Sequence, residues 1–386
     1  MMSASMIDSP TELREPPQRI SNRQHRKGAI AVLAAVLIVI LFGMVAFAID
    51  IGYLALARTE TQRTADATAH AAVVEFASSQ DINEITTRAR SVASEFTSAN
   101  PVLGQVASVA PSVDVSIGHY EFGSGQTDLR FDDPTKYNAV KVRIRRTNSQ
   151  NGAVPLFFGR ILNRSEQEVD AEATAALVRD VRGFKIPSSG KNAPVLPITI
   201  EEDYWNQSHE AEDDVWGYDP KTGQVTAEAD GIPELRLFPN DTGSSGNLGT
   251  INIGVTNNST SYISKQIRNG LSRADLQFHG GSLELNQLGT LYLSGNPGLS
   301  AAMKDDLESI IGEVRVIPVY RSVWGNGNNA MFEIVKFVAV RIMAVKLTGG
   351  EKVINVQPAS LTLEGVIQGN GLQSSAGVFS SPRIVN

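Results

Sequence analysis

The sequence predicts an α+β protein organised on one long N-terminal helix. A transmembrane helix continues into a helix-on-antiparallel-sheet module, and a second α+β or β-rich domain follows. Three observations carry this reading. Ala29 to Ile49 is an unbroken run of 21 uncharged, almost wholly apolar residues, enough at ~1.5 Å rise per residue for roughly 30 Å of helix. Beyond it, small and apolar residues recur at helical spacing as far as Phe76. From Val113 onward the period shortens to two, the mark of half-buried strands.

The chain begins with a polar, proline-containing stretch, residues 1–27, with no apolar period, which reads as a disordered cytoplasmic tail with a basic end. The apolar run after it exceeds the ~7–15 residues of a secretory signal core and leads straight into more helix. Residues 28–50 are therefore expected to cross a membrane once. Arg14, Arg19, Arg23, Arg26 and Lys27 outnumber Arg58 and Arg63 on the far side. That asymmetry, with Arg23, Arg26 and Lys27 as its topology-setting core, places the N-terminus in the cytoplasm and the bulk of the chain outside it.

The 386 residues, 42% hydrophobic, leave enough apolar chain outside the span for two or three domains. There is no cysteine, so an exported segment relies on packing alone, without disulfides or thiolate-bound zinc. The net charge of −7 speaks against a nucleic-acid partner.

After Asp50 the helix becomes amphipathic. Ala65, Ala69, Ala72, Val73 and Phe76 share one face at i, i+4, i+7, i+8 and i+11, a small-residue helix-packing face that lets a helix or sheet approach the backbone closely. Residues 79–100 form a second helix. There Asp81 and Glu84 make a capping-box pattern, Ile82, Ile85, Ala89, Val92 and Phe96 repeat on one face, and Asn100-Pro101 stops it.

The segment from Arg26 to Val73 resembles the N-terminal region of TadG-like proteins of the tight-adherence (Tad/Flp) pilus assembly system. Lys27 and Gly28 before the span, Asp50 and Gly52 after it, and Gln62, Ala65, Asp66, Ala67, Ala69, Ala71 and Ala72 occupy the family's positions. Thr68 and His70 depart from its usual Ala and Leu. The resemblance raises the question of a pilin. Type IV-like prepilins are cut after a Gly and carry a Glu at the fifth mature position, and counted from Ala29 that position is Leu33. The chain is therefore expected to stay uncleaved and not to polymerise as a major pilin. Asp50, at the far end of the span, reads as marking the water interface rather than as a displaced copy of that carboxylate.

Strands are expected at Val113–Tyr120, at Ala139–Arg146 and from Val169 through Val181, with a short apolar element at Pro155–Leu162 between the last two. Val169, Ala171, Ala173 and Ala175 put small residues on one face, which suits a sheet lying against a long helix. Residues 51–186 thus form a pilin-like α+β module. A change of composition marks the boundary with residues 187–386. From Lys191 to Leu248 there are twelve acidic residues against three basic ones, and two of the three tryptophans, Trp205 and Trp216. Beyond it the pattern predicts helices at Tyr262–Asn269 and from Ser300 to Ile311, and strands at Glu313–Val323, Met331–Leu347, Lys352–Val356 and Leu361–Ile367. The second of these is apolar enough to be covered on both faces. Several segments here look similar to those downstream of TadG-type anchors.

No constellation points to catalysis. The five histidines are scattered, with no His-Glu-x-x-His pair and no Gly-x-Ser-x-Gly elbow. Asp114-Val-Ser116-Ile-Gly118 narrowly misses the Asp-x-Ser-x-Ser metal site of the von Willebrand A domains that some TadG relatives carry, and reads as an ordinary strand. Gly243 to Gly249 and Gly183 to Asn192 both fail the phosphate-loop pattern, and Gly325 to Ala330 reads as a hairpin loop. Asp203, Glu210, Glu212, Asp213 and Asp214, or Asp219 with Glu228, Asp230 and Glu234, could supply hard oxygen ligands for calcium, but the spacing fits no calcium loop, so a solvated acidic surface is expected.

These readings converge on a non-enzymatic, single-pass inner-membrane protein. It would be a structural or assembly component of a Tad/Flp pilus and secretion system, needing no cofactor or metal. Its expected partners are the lipid bilayer and pilin-like or other Tad assembly proteins, the latter reached through the alanine face. The alternative is an anchored extracytoplasmic adhesin or ligand-binding module built on the acidic region, with calcium as its candidate ligand.

Overall fold

A computed structural model describes residues 24–385 apart from residues 80, 208–213, 239–246, 255–258, 326, 350–351, 370 and 372–374. The architecture is α+β, with a long N-terminal helix ahead of β-rich structure. Helix α1 (Gln24–Val74) is continuous for 51 residues. Its apolar half stands clear of the rest of the molecule, and it is long and apolar enough to cross a membrane. Its second half enters the protein core.

Helix α2 (Ile82–Ala99) packs along that second half. Asp81 caps it by accepting from the Asn83 N–H, whereas Glu84 accepts from Ser79 and pairs with Arg88, so the expected capping box does not form. The buried row follows the predicted one at Ile85 and Ala89 and then shifts by one residue, to Ala93 and Thr97 in place of Val92 and Phe96. Ile85, Ala89, Ala93 and Thr97 face inward at four-residue spacing, while Phe96 is exposed. Two rows of small residues can approach more closely than a row containing Phe, and this selects the alternative ridge.

Both helices cover a four-stranded antiparallel sheet of order β1 (Val115–Gly118), β2 (Ala139–Arg146), Val169–Ala176, Arg383–Ile384. The last strand comes from the far end of the chain, and Phe379 just before it enters the same core. The predicted strand from Val169 through Val181 ends at Ala176. A separate strand, Val181–Lys185, pairs instead with Ser282–Glu284 and Val366–Gln368.

The remaining large sheet closes on itself. Ala330–Lys346 pairs with Leu291–Asn296, which pairs with Leu248–Ile251, then Ile198–Glu201, then Val314–Trp324, which returns to Ala330–Lys346. Phe332 lies inside this ring. A Cβ on Gly249 would meet its ring at 2.7 Å and one on Gly295 at 2.9 Å, so both strands need glycine there. Val338, Val340 and Ile342 belong to one core and Phe332, Phe337 and Ala339 to another, which explains the near-continuous apolar run of this strand. The predicted strand Leu361–Ile367 is broken at Gly365, whose φ of 72° separates Leu361–Leu363 from Val366–Gln368.

Candidate functional site

The chain's distinctive geometry lies where α1 leaves its apolar run. The five residues of the small-residue face, Ala65, Ala69, Ala72, Val73 and Phe76, are all fully buried. They share one core with Ile85, Ala89 and Ala93 of α2 and with Val140, Val142, Ala173 and Ala175 of the sheet. The face expected to meet a partner protein is therefore filled by the chain's own elements. Thr68, a departure from the family pattern, lies on the same interface with its hydroxyl 3.3 Å from that of Thr97. A polar pair buried between the helices replaces the usual Ala, and each hydroxyl keeps a partner. His70, the other departure, points to solvent. Arg179 closes the far end of this core. Its guanidinium lies 5.2 Å from the centre of the Phe76 ring and donates to the Tyr137 carbonyl at 2.7 Å, and burial lowers its pKa.

Asp50 is the residue whose role sequence reasoning missed. It does not point into water; it is buried one residue beyond the apolar run. Its Oδ1 accepts from the Phe157 N–H at 2.8 Å, and its Oδ2 accepts from Phe158 at 3.0 Å and Gly159 at 2.7 Å. Three consecutive backbone donors converging on one carboxylate form a charge-assisted clamp across more than a hundred residues of sequence. Tyr53, one turn on, packs edge-to-face on Phe157 at 5.2 Å.

The clamped segment is the tip of a hairpin, in which Val154–Pro155 pairs with Glu166–Gln167. Gly159–Leu162 forms a 3₁₀ turn closed by Asn163 in the left-handed conformation. A Cβ on Gly159 would lie 2.6 Å from the Arg164 carbonyl oxygen, so this turn requires glycine. The expected short apolar element is thus an ordered loop, yet Phe157, Phe158, Ile161 and Leu162 are all exposed.

On the outer face of the sheet, Arg143 pairs with Asp170 at 2.6 Å and Lys141 with Glu172 at 2.8 Å, and the Asp170 hydrogen bond raises the Arg143 pKa. Gln62 links α1 to this face by donating to Asp66 and to the Glu172 carbonyl. Of the topology-setting residues, Arg26 and Lys27 lie in the first turn of α1 and Arg23 lies outside the described residues.

Three of the carboxylates considered as calcium ligands hold the chain's own groups. Asp214 accepts from the backbone of Asp230 and Gly231, Asp219 from Lys221 and Thr222, and buried Glu234 from Val215, Trp216 and Gln357. Glu210, Glu212, Asp213, His209 and the loop 243–246 lie outside the described residues. Among those described, no group of three or more His, Asp or Glu side chains could hold a metal ion. Asp114 is an internal tie as well, accepting from the Ala110 N–H and paired at 2.5 Å with Arg145.

Residues 28–75 match the TadE/G-like Flp pilus-assembly family, and residues 55–175 match the Tad-like Flp pilus-assembly family. No curated protein and no solved structure shows significant similarity to the chain. Both families are assembly families rather than enzyme families. The first match covers the apolar half of α1 and the alanine face, and the second covers α2 and the sheet as far as Ala175. Residues 28–175 are thus similar to Tad/Flp pilus-assembly proteins, a likeness that supports a TadG-like component of that system, and the first helix is long enough and apolar enough to cross a membrane.

Proposed function

We propose that this protein is a non-enzymatic structural or assembly subunit of the Tad/Flp pilus machinery. It is held in the inner membrane by a single span, with its N-terminus in the cytoplasm and residues 51–386 on the extracytoplasmic side, and it acts through protein–protein packing. The observation that carries this reading is the continuity of α1. One helix is apolar from Ala29 to Ile49 and then becomes the spine of a folded module, as an anchor that positions a scaffold requires. The excess of Arg and Lys ahead of the span supports the orientation.

Because the alanine face is occupied within the chain, contact with pilin-like or other Tad proteins falls to the opposite face of α1. Ala55, Thr59, Arg63, His70 and Val74 are exposed there. A photo-crosslinking residue at Arg63, in cells assembling pili, is expected to capture other pilus-assembly proteins, whereas one at Ala69 captures only the chain itself. Recovery of uncrosslinked monomer from the Arg63 position, together with normal piliation after deletion of the gene, would refute the proposal.

A further inference from the structure

We infer that the hairpin tip Phe157–Leu162 is a second membrane contact, seated in the interfacial layer of the bilayer beside the point where α1 emerges. This rests on the reading of α1 as a membrane span and adds a ligand, the lipid interface, to a loop that has none.

The tip is ordered by its own backbone. Leu156 donates to the Ser165 carbonyl and Arg164 to the Gly159 carbonyl, each at 2.9 Å. The Asp50 carboxylate and the Tyr53 ring then fix it from α1. A loop held this firmly would ordinarily turn its large apolar groups inward. Here Ile161 is 82% exposed, Leu162 73% and Phe157 60%. Such a contiguous apolar patch on an ordered surface marks a binding site.

Its position says what covers it. Asp50 directly follows Ile49, the last residue of the apolar run, so the clamp ties the tip to the level at which α1 passes from hydrocarbon to water. The patch is continuous with an established apolar surface, since Ile49 and Ile51 of α1 are exposed at the same level. Its composition suits that depth. Phe, Ile and Leu offer apolar bulk, and exposed Arg160 and Arg164 can reach lipid phosphates while their stems stay on the apolar side. With two points of attachment, the sheet is held at a fixed tilt on the bilayer, which a single span would not impose.

The absence of cysteine makes the test clean, because a single introduced thiol is the only one to label. The full chain, reconstituted in phosphatidylcholine–phosphatidylglycerol vesicles, is spin-labelled singly at Val39→Cys, Ile161→Cys or Gln126→Cys. Gln126 is exposed beyond the Gly118 end of the sheet, opposite the clamped hairpin. Collision with dissolved oxygen is compared with collision with a water-soluble nickel chelate. The oxygen-to-nickel ratio at 161 is expected to exceed that at 126 severalfold and to approach that at 39, with a depth about 5–10 Å inside the headgroup boundary. A high ratio at 39 with a ratio at 161 equal to that at 126 overturns the second contact alone. A ratio at 39 as low as that at 126 overturns the span on which it rests. Shielding at 161 that disappears when the protein is diluted in lipid assigns the patch to a second copy of the chain and also overturns the proposal.

Discussion

Replacing Asp50 by Asn isolates the clamp between the end of the apolar run of α1 and the hairpin tip. The native carboxylate offers two acceptor oxygens to three N–H donors at 2.7–3.0 Å. An amide of the same shape offers one oxygen and sets its NH₂ against the remaining donors. A hydrogen bond to a charged group nets about 1.5–3 kcal/mol, and a buried donor left without a partner costs about 1–3 kcal/mol. Water can reach the exposed side of the loop and recover part of this, so the local loss is expected to be about 3 kcal/mol rather than the full sum. At about 1.4 kcal/mol per factor of ten, that is roughly a hundredfold. Amide hydrogen exchange of the full chain, followed by mass spectrometry, should show peptides spanning 156–165 exchanging about a hundredfold faster in the variant, while α2 keeps its protection. Unchanged exchange in the loop would refute the clamp. Equal acceleration throughout the sheet and α2 would show that Asp50 supports global folding instead.

Two further outcomes follow from packing and burial. Ala69→Leu adds three carbons to a fully buried position between α1, α2 and the sheet and should cost about 1–3 kcal/mol, whereas Ala55→Leu on the exposed face should stay within about 0.5 kcal/mol in urea unfolding. Burial lowers the pKa of His279 below its ordinary 6.5, against the opposing effect of Asp275. The unfolded chain therefore takes up this proton first, so its contribution is intact above about pH 6.5 and is lost as pH falls from there towards the folded value. Urea midpoints measured between neutral pH and pH 5 should show a shallower decline for His279→Gln than for the wild type.

How much of this was legible in the sequence depended on the range of the interactions. The apolar run and the alanine face are local patterns, carried by 21 successive residues in one case and by helical spacing over Ala65–Phe76 in the other, and both lie on α1 and the turn that directly follows it. The inward row of α2 was read correctly at Ile85 and Ala89 and misplaced by one residue in its second half because Phe96 looks like an anchor, while the deciding partner, the small-residue row of α1, lies on another helix. The closed ring of strands left a trace that could have been read. Gly249 and Gly295 each interrupt a strand-like run, and a glycine within a strand signals close approach of something bulky, here Phe332. What the pattern could not supply was the identity of that bulky residue, since the pairing of Ile198–Glu201 with Val314–Trp324 joins segments more than a hundred residues apart. The return of Arg383–Ile384 to the first sheet was hidden for the same reason.

Asp50 shows where such reading reaches its end and what the fold adds. A carboxylate just past an apolar run has a sufficient local explanation in the water interface, so sequence reasoning had no cause to look further. In the folded chain that explanation is incomplete, because the group is buried and its oxygens are taken by backbone N–H groups of the hairpin tip. A buried anion is tolerated only where donors already point at it, and the 3₁₀ turn, closed by Asn163 and made possible by Gly159, presents them. The two halves of α1 thus meet at a residue that belongs to both. The apolar run ends one residue before it, and the hairpin that Asp50 holds packs at that point. The folded part is therefore tied to α1 at the end of its apolar run. The alanine face further along α1 serves a different purpose, joining the helix to the sheet.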